Sequence, residues 1–154
     1  MVAKAAPNGQ TVMVSTNTSL TLPLFYKTVP FDVLKSFQPL GMIGTNNFAL
    51  VVHPSVPASN PKELVAWIKA QGDKANFAHG GIGTNSHLCA VMMGNVLGFK
   101  PTVVAYRGSA PAIGDLLAGQ IDLLWDQVTN ALPQIQAGTL HGIAITSSER
   151  LEQL

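Results

Sequence analysis

A glycine-rich stretch followed by polar residues is the part of the sequence whose residue types most clearly suggest chemistry. Gly80-Gly81-Ile82-Gly83 runs directly into Thr84-Asn85-Ser86-His87, between a short strand pattern and a long apolar helix pattern. Glycines let the backbone approach a ligand closely. The first amides of a helix have no partners within the helix and carry a partial positive charge. With the hydroxyl and amide side chains added, this stretch favours binding of a carboxylate or another small oxyanion.

The same stretch also has a purely structural interpretation, in which the glycines make a tight turn and Thr84 caps the helix. Enzymatic interpretations fail at specific positions. A P-loop requires Lys and then Ser or Thr after its last glycine, whereas Thr84-Asn85 follows Gly83. A dinucleotide fingerprint requires a glycine or alanine where Ser86 stands. His79-Gly80-Gly81 is similar to an esterase oxyanion loop, but the sequence contains no Gly-x-Ser-x-Gly elbow.

The four histidines and the single cysteine show no spacing typical of a metal site or of a nucleophile–base pair. His87 and Cys89 lie two residues apart on a predicted helix, so their side chains point to different faces. One cysteine excludes an intrachain disulfide. We therefore predict structural histidines, a buried Cys89, no catalytic residue, no metal site and no cofactor.

Two further junctions place polar residues where a predicted strand meets a helix. In the first, Arg107 either pairs with a carboxylate or is a solvated surface cation, and Ser109 is predicted to cap the next helix. In the second, Asp126 either caps the following helix or accepts a hydrogen bond from a ligand amine. Together with His79, Arg107 and Ser109 form a second group of candidate cleft residues.

The elements that must position these residues alternate between strand and helix patterns. The predicted strands are 11–15, 41–43, 48–53, 75–79, 102–106, 121–125 and 142–146, and the predicted helices are 61–71, 84–97, 109–118 and 128–137. Residues 17–37 are expected to be irregular, because Pro23 and Pro30 interrupt any long helix. Such alternation predicts an α/β fold with a mainly parallel sheet flanked by helices.

Composition narrows the class of protein further. The 154 residues suit one ordinary domain, and a net charge of +1 with scattered basic residues argues against nucleic-acid binding. Charged residues make up 11% of the chain, against about 25% in an average soluble domain. We therefore expect part of its surface to be covered by something that the chain lacks. No apolar segment typical of a signal peptide follows Met1.

Several motifs in register resemble one family. The string 81–88, Gly-Ile-Gly-Thr-Asn-Ser-His-Leu, resembles the signature of the Bug family, the TctC-like extracytoplasmic receptors of tripartite tricarboxylate transporters. Segments 37–40, 51–57, 106–112, 115–122 and 136–140 are similar to that family in order and spacing. The resemblance implies a type II periplasmic binding-protein fold with two α/β lobes. In that fold, 1–48 would be a partial first lobe with the crossover segment, and 49–154 the second lobe.

The resemblance also implies a site and a role. Gly83, Thr84, Asn85, Ser86 and His87 would bind a ligand carboxylate. Asp126 matches a position near the cleft in family members that bind amino-dicarboxylates, and His79 stands where the family usually has a small residue. The ligand would be a small carboxylate, with di- and tricarboxylates, acidic amino acids and monocarboxylates all left open.

The wider role follows from the same resemblance. The partners would be membrane permease subunits, and the location periplasmic. The chain would be truncated at both ends. The alternative is an assembly module that retains no ligand binding and self-associates through its uncovered apolar surface.

Overall fold

The computed structural model describes residues 2–153, and the chain divides into two compact units, Met1–Gly44 and Thr45–Leu154. In the first unit a 3-10 turn, Val2–Lys4, precedes helix α1, Thr18–Phe25. None of its described residues is buried. The assignment of these parts to the lobes of a two-lobed fold stays a prediction.

Three sequence predictions in the first unit are wrong. Segments 11–15 and 41–43 form no strand, because a β-branched run needs a neighbouring strand to pair with. Residues 17–37 are not wholly irregular, since α1 forms with Pro23 inside it. Proline removes only one backbone hydrogen bond of this short helix, and the Tyr26 N–H closes its end on the Leu22 carbonyl at 3.0 Å.

The second unit is a five-stranded sheet with helices on both faces. Its elements are β1 (Phe48–Val52), α2 (Pro61–Gln71), β2 (Asn76–His79), α3 (Asn85–Leu97), β3 (Thr102–Ala105), α4 (Ser109–Leu117), β4 (Leu123–Gln127), α5 (Val128–Gln136) and β5 (His141–Ile145). A 3-10 turn, Gly72–Lys74, follows α2. No helix among residues 2–153 is both long enough and apolar enough to cross a membrane.

The strand order is β3-β2-β4-β1-β5. Strand β2 pairs in parallel with β3 and β4, whereas β1 pairs antiparallel with β4 and β5. Four strands therefore run in one direction and β1 is reversed. The predicted α/β class is confirmed, with one strand opposed to the rest. In β1 the run Ala49–Val52 is buried throughout. Such a continuous apolar pattern does not indicate whether a strand runs parallel or antiparallel to its neighbours.

The core lies in two layers, one on each side of the sheet. Phe77 and Leu123 pack with α2 and α3, while Ala78 and Leu124 pack with α4 and α5. Because side chains alternate along a strand, His79 falls on the α3 side and Asp126 on the α4–α5 side. The candidate site residues are thus divided between the two faces of the sheet.

Helix α2 begins with a side-chain cap. The Asn60 side chain accepts the Glu63 N–H at 3.0 Å, and Pro61 stands at the first helical position. The Glu63 carboxylate reaches back to Ser59, accepting its N–H at 2.8 Å and its hydroxyl at 2.9 Å. The carboxylate therefore binds one residue before the cap, one position earlier than in a standard capping box.

Candidate functional site

The three predicted junctions meet at one edge of the sheet. They follow β2, β3 and β4, which run parallel and end on the same side. Two backbone hydrogen bonds join the first two junctions: Tyr106 N–H donates to the His79 carbonyl at 2.8 Å, and Gly108 N–H donates to the Gly80 carbonyl at 3.1 Å. This edge is where α/β folds bind ligands.

Three side chains of the glycine loop hold its backbone from within. Gly80 N–H donates to Ser86 Oγ at 3.0 Å. Gly81 N–H donates to His79 Nδ1, and Gly83 N–H donates to His87 Nδ1, each at 3.2 Å. The sequence analysis did not foresee these bonds. They direct the three glycine amides toward side chains of the loop and of the adjoining strand and helix.

Thr84 is the N-cap of α3, as the structural interpretation predicts. Its Oγ1 donates to the Gly81 carbonyl at 2.6 Å and accepts the His87 N–H at 3.5 Å. Ser86 Oγ lies 3.1 Å from the same Oγ1. Because the single Thr84 hydroxyl hydrogen is directed to Gly81, Ser86 is the donor in that pair. The expected hydroxyl donors therefore serve the loop itself, and the helix start presents backbone amides and the half-buried Asn85.

His79 and His87 form a ring pair beneath the loop. Their ring centroids lie 4.5 Å apart with the planes tilted by 36°. His79 is buried, at 1% exposure, and His87 is half-buried. Burial lowers the pKa of both imidazoles. For His79 a backbone hydrogen bond with Gly81 partly offsets burial by raising the pKa, and the neighbouring His87 lowers it further. Both imidazoles therefore favour the neutral form near pH 7.

Asp126 is buried, at 2% exposure, and accepts several hydrogen bonds. Its Oδ1 accepts the Ser109 hydroxyl at 2.7 Å and the Gln127 N–H at 2.8 Å, and its Oδ2 accepts Asn130 Nδ2 at 3.4 Å. The predicted capping roles of Asp126 and Ser109 are both wrong. Gln127 is the N-cap of α5, and Gly108 is the N-cap of α4, at a φ of 107° that favours glycine.

Arg107 and Cys89 do not combine with other described residues into a reactive group. Arg107 is exposed and forms no ion pair with the part of the chain that the structure describes. Burial raises the pKa of the half-buried Cys89 thiol, which keeps it protonated. Within residues 2–153 no three His, Cys, Asp or Glu side chains come together as a metal site.

Two members of the junction networks were missed by the sequence analysis. Asn130 lies in the first turn of α5 and donates to Asp126 at the end of β4. The helical i,i+4 spacing rule does not apply to this pair, because Asp126 belongs to a strand. Asp115 accepts the Tyr106 hydroxyl at 2.7 Å. Burial, together with this contact, raises the pKa of Tyr106 to about 12. Nothing in the spacing of Tyr106 and Asp115 indicates it, because they belong to different elements.

Comparisons with known proteins agree on one family. A family model described as the tripartite tricarboxylate transporter family receptor, TctC, matches residues 1–154. A UPF0065 protein of Bordetella pertussis is 34% identical over 151 residues, covering 97% of this chain and 46% of the relative. The chain therefore spans about half the length of the curated relatives that it matches over most of its own length.

Two solved structures show the same fold. The periplasmic binding protein BugD superposes with a TM-score of 0.89 at 36% identity, covering 97% of this chain and 50% of BugD. The R. palustris protein Rpa4515, solved with adipate, superposes with a TM-score of 0.90 at 27% identity, again covering 97% of this chain and 50% of the other.

Proposed function

Because this chain belongs to the tripartite tricarboxylate transporter receptor family, we propose that it forms one wall of a carboxylate site in a periplasmic solute receptor. The family consists of binding proteins, so this role is capture and not catalysis. The observation that carries the proposal is the start of α3, which stands at the shared strand edge and has no acidic residue in its first turn. Its partial positive charge is therefore not neutralised locally.

The loop that leads into α3 supports the proposal because it is already ordered. Internal hydrogen bonds fix Gly80, Gly81 and Gly83, so little conformational entropy is lost when a ligand arrives. The start of α2 offers a useful contrast. Helix α2 carries Glu63 in its first turn, a charge that would repel an anion. Of these two helix starts, only that of α3 is suited to a carboxylate.

The proposed ligand is a di- or tricarboxylate or an acidic amino acid. The adipate in the Rpa4515 structure is a dicarboxylate, and it supports this class. We assign the direct contacts to the helix start, Gly83 to His87. Arg107 is an exposed cation beside it that could attract an anion. The low exposure of Asp126 favours an organising role, in which it and Ser109 fix the starts of α4 and α5.

Tight binding requires more free energy than one wall of the site can supply. An exposed helix terminus contributes only about 0.3–1 kcal/mol to binding an anion, whereas micromolar affinity needs about 8 kcal/mol. We therefore propose that carboxylates bind this chain weakly, and that tight binding needs a second lobe that closes over the ligand. Delivery to membrane permease subunits belongs to that complete receptor.

A second candidate, self-association, rests on the first unit. Residues 2–44 bury no side chain and expose large apolar residues, including Val14, Leu40, Met42 and Ile43 at 80% or more. A surface of this kind commonly marks an interaction site. Light scattering of the chain over a range of concentrations tests this candidate. A dimer mass that falls on dilution supports it, and a monomer mass at every concentration removes it.

Amide NMR titration of the ¹⁵N-labelled chain tests the main proposal. Adipate and citrate are expected to shift the amides of Gly81 to His87 and to approach saturation only at millimolar concentrations, while glucose leaves them unchanged. The amides at the start of α2, Asn60 to Glu63, provide an internal control for ionic strength. Equal shifts at both helix starts, or none at α3, would overturn the proposal.

A further inference from the structure

His79 is the last residue of β2 and the only buried histidine. Its Nδ1 accepts the Gly81 N–H at 3.2 Å, and its ring lies 4.5 Å from that of His87, whose Nδ1 accepts the Gly83 N–H at 3.2 Å. One pair of stacked imidazoles thus holds two of the three glycine amides of the loop. Gly81 has a φ of 137°, a backbone conformation that favours glycine.

These bonds restrict the protonation state of both rings. An imidazole nitrogen that accepts an N–H carries no hydrogen, so in each ring the hydrogen is on Nε2. Protonation places a second hydrogen on Nδ1, where it faces the backbone N–H that it previously accepted. It also introduces positive charge into a pair whose centroids lie 4.5 Å apart. Either effect separates the loop backbone from its support.

The other titratable groups around β2 are occupied or neutral. On α3, Cys89 has a thiol whose pKa is raised by burial. On β4, the Asp126 carboxylate accepts from Ser109 and Asn130, and on α4 the Asp115 carboxylate accepts from Tyr106. His79 forms no ion pair with a described residue. His87 is therefore the titratable group that faces His79 directly.

We propose that His79 is a positioning residue that makes the carboxylate loop sensitive to pH: neutral His79 holds the Gly81 amide and the loop, and protonated His79 releases them. This inference rests on the proposed function for its consequence, which is weaker carboxylate binding in acid. The loop response itself needs no ligand. Burial, which disfavours the charged imidazole, places the release below the ordinary pKa of histidine.

The experiment follows the ligand-free chain by NMR from about pH 7.5 to about pH 4.5, a range that spans histidine titration. The imidazole nitrogen shifts report the tautomer of His79, and the amide shifts of Gly81 and Gly83 report the loop. We expect the Nε2–H tautomer at neutral pH and a Gly81 amide that moves with the His79 titration. Exposed His141 is the internal reference. The inference would be overturned by an Nδ1–H tautomer of His79, or by amide shifts of Gly81 and Gly83 that do not change as His79 titrates.

Two substitutions separate positioning from simple packing. His79→Asn retains an acceptor near the Nδ1 position but cannot titrate, so its Gly81 amide is expected to stay in place across the whole range. His79→Ala removes the acceptor and is expected to shift Gly81 at every pH. A Gly81 amide that moves as far with pH in His79→Asn as in the wild type would contradict the proposal, even if His79→Ala fails to fold.

An adipate titration at neutral and acidic pH then tests the link to the ligand. The wild-type chain is expected to bind adipate several-fold more weakly at acidic pH than at neutral pH. His79→Asn is expected to bind adipate equally at both pH values. Absence of adipate binding at either pH counts against the proposed function and leaves the loop response standing. Wild-type binding that is equal or tighter in acid, despite a loop response, overturns the role of His79 at the site.

Discussion

The Ser109 hydroxyl donates a 2.7 Å hydrogen bond to Oδ1 of Asp126 and thereby ties the first residue of α4 to the end of β4. The same carboxylate accepts from Gln127 and Asn130 around the start of α5. A buried carboxylate is stable only when such donors replace its lost hydration. The pair therefore sets the positions of two helix starts at the edge of the sheet where the parallel strands end.

Substitution Ser109→Ala is expected to destabilise the chain. It leaves the Asp126 carboxylate one donor short in a buried site, which lowers the free energy of unfolding by about 1–3 kcal/mol. Urea denaturation measures the change, with the exposed Ser148→Ala as the control for the same side-chain deletion. A loss for Ser109→Ala no larger than that for Ser148→Ala would show that the bond contributes nothing measurable.

Gly94 and Gly114 both lie inside helices but differ in the space around them. A Cβ at Gly94 would lie 2.6 Å from Pro101 Cδ and 2.8 Å from the Phe99 carbonyl oxygen, whereas nothing lies within 4 Å of one at Gly114. Gly94→Ala is expected to lower the free energy of unfolding by about 1–3 kcal/mol through overpacking.

Gly114→Ala is the matched control and is expected to raise the free energy of unfolding by about 0.4–1 kcal/mol, because alanine restricts the unfolded chain and favours helix. Thermal and urea unfolding of the two variants check the signs. Equal effects of the two substitutions would contradict the packing of α3 against the Phe99–Pro101 segment.

Ionisation of Tyr106 should lower the free energy of unfolding at high pH. Its pKa rises from 10.0 in the unfolded chain to about 12 in the folded one, through burial and the Asp115 carboxylate. The folded state therefore keeps a proton that the unfolded state releases, and the contribution of this residue is lost as pH rises through that window. We expect Tyr106→Phe to be less stable than wild type at neutral pH, with a difference that narrows above pH 10.

The direct measurement is a spectrophotometric tyrosinate titration in Tyr26→Phe. The chain has two tyrosines, so this substitution leaves Tyr106 as the single phenol whose ionisation changes the absorbance. A midpoint at the ordinary tyrosine value would show that the contact with Asp115 does not form.

Elements with local signals were predictable from the sequence. Both ends of α2 are defined by local residues: a cap and a first-position proline at its start, and a glycine at its end. Thr84 marks the start of α3, because its capping geometry depends on neighbouring residues only. The strands of the second unit were predicted to within two residues at each end. Their shared edge followed from α/β alternation, and the structure confirms it.

Features that depend on contacts between distant segments were not predictable. The reversed β1 has the same apolar pattern in either direction, and the Ser109–Asp126 bond joins residues 17 positions apart in the chain. The stacked pair of His79 and His87 requires the turn of the glycine loop to bring strand and helix together. The strand predicted at 11–15 does not form for the opposite reason. The segment has a local preference for β structure, but no neighbouring strand pairs with it in the structure.

The measurement that tests the central claim most directly compares adipate binding by Asn85→Asp and Asn95→Asp, followed by amide NMR. Both residues lie on α3 and the charge change is the same, but Asn85 is the first helical residue and the exposed Asn95 lies in the last turn. An acid in the first turn stabilises a helix by about 0.3–1 kcal/mol, so Asn85→Asp should fold at least as well as wild type. The account predicts that wild type and Asn95→Asp retain the adipate-induced shifts of Gly81 to His87 and that Asn85→Asp loses them. Undiminished shifts in Asn85→Asp would show that the carboxylate does not bind at the start of α3.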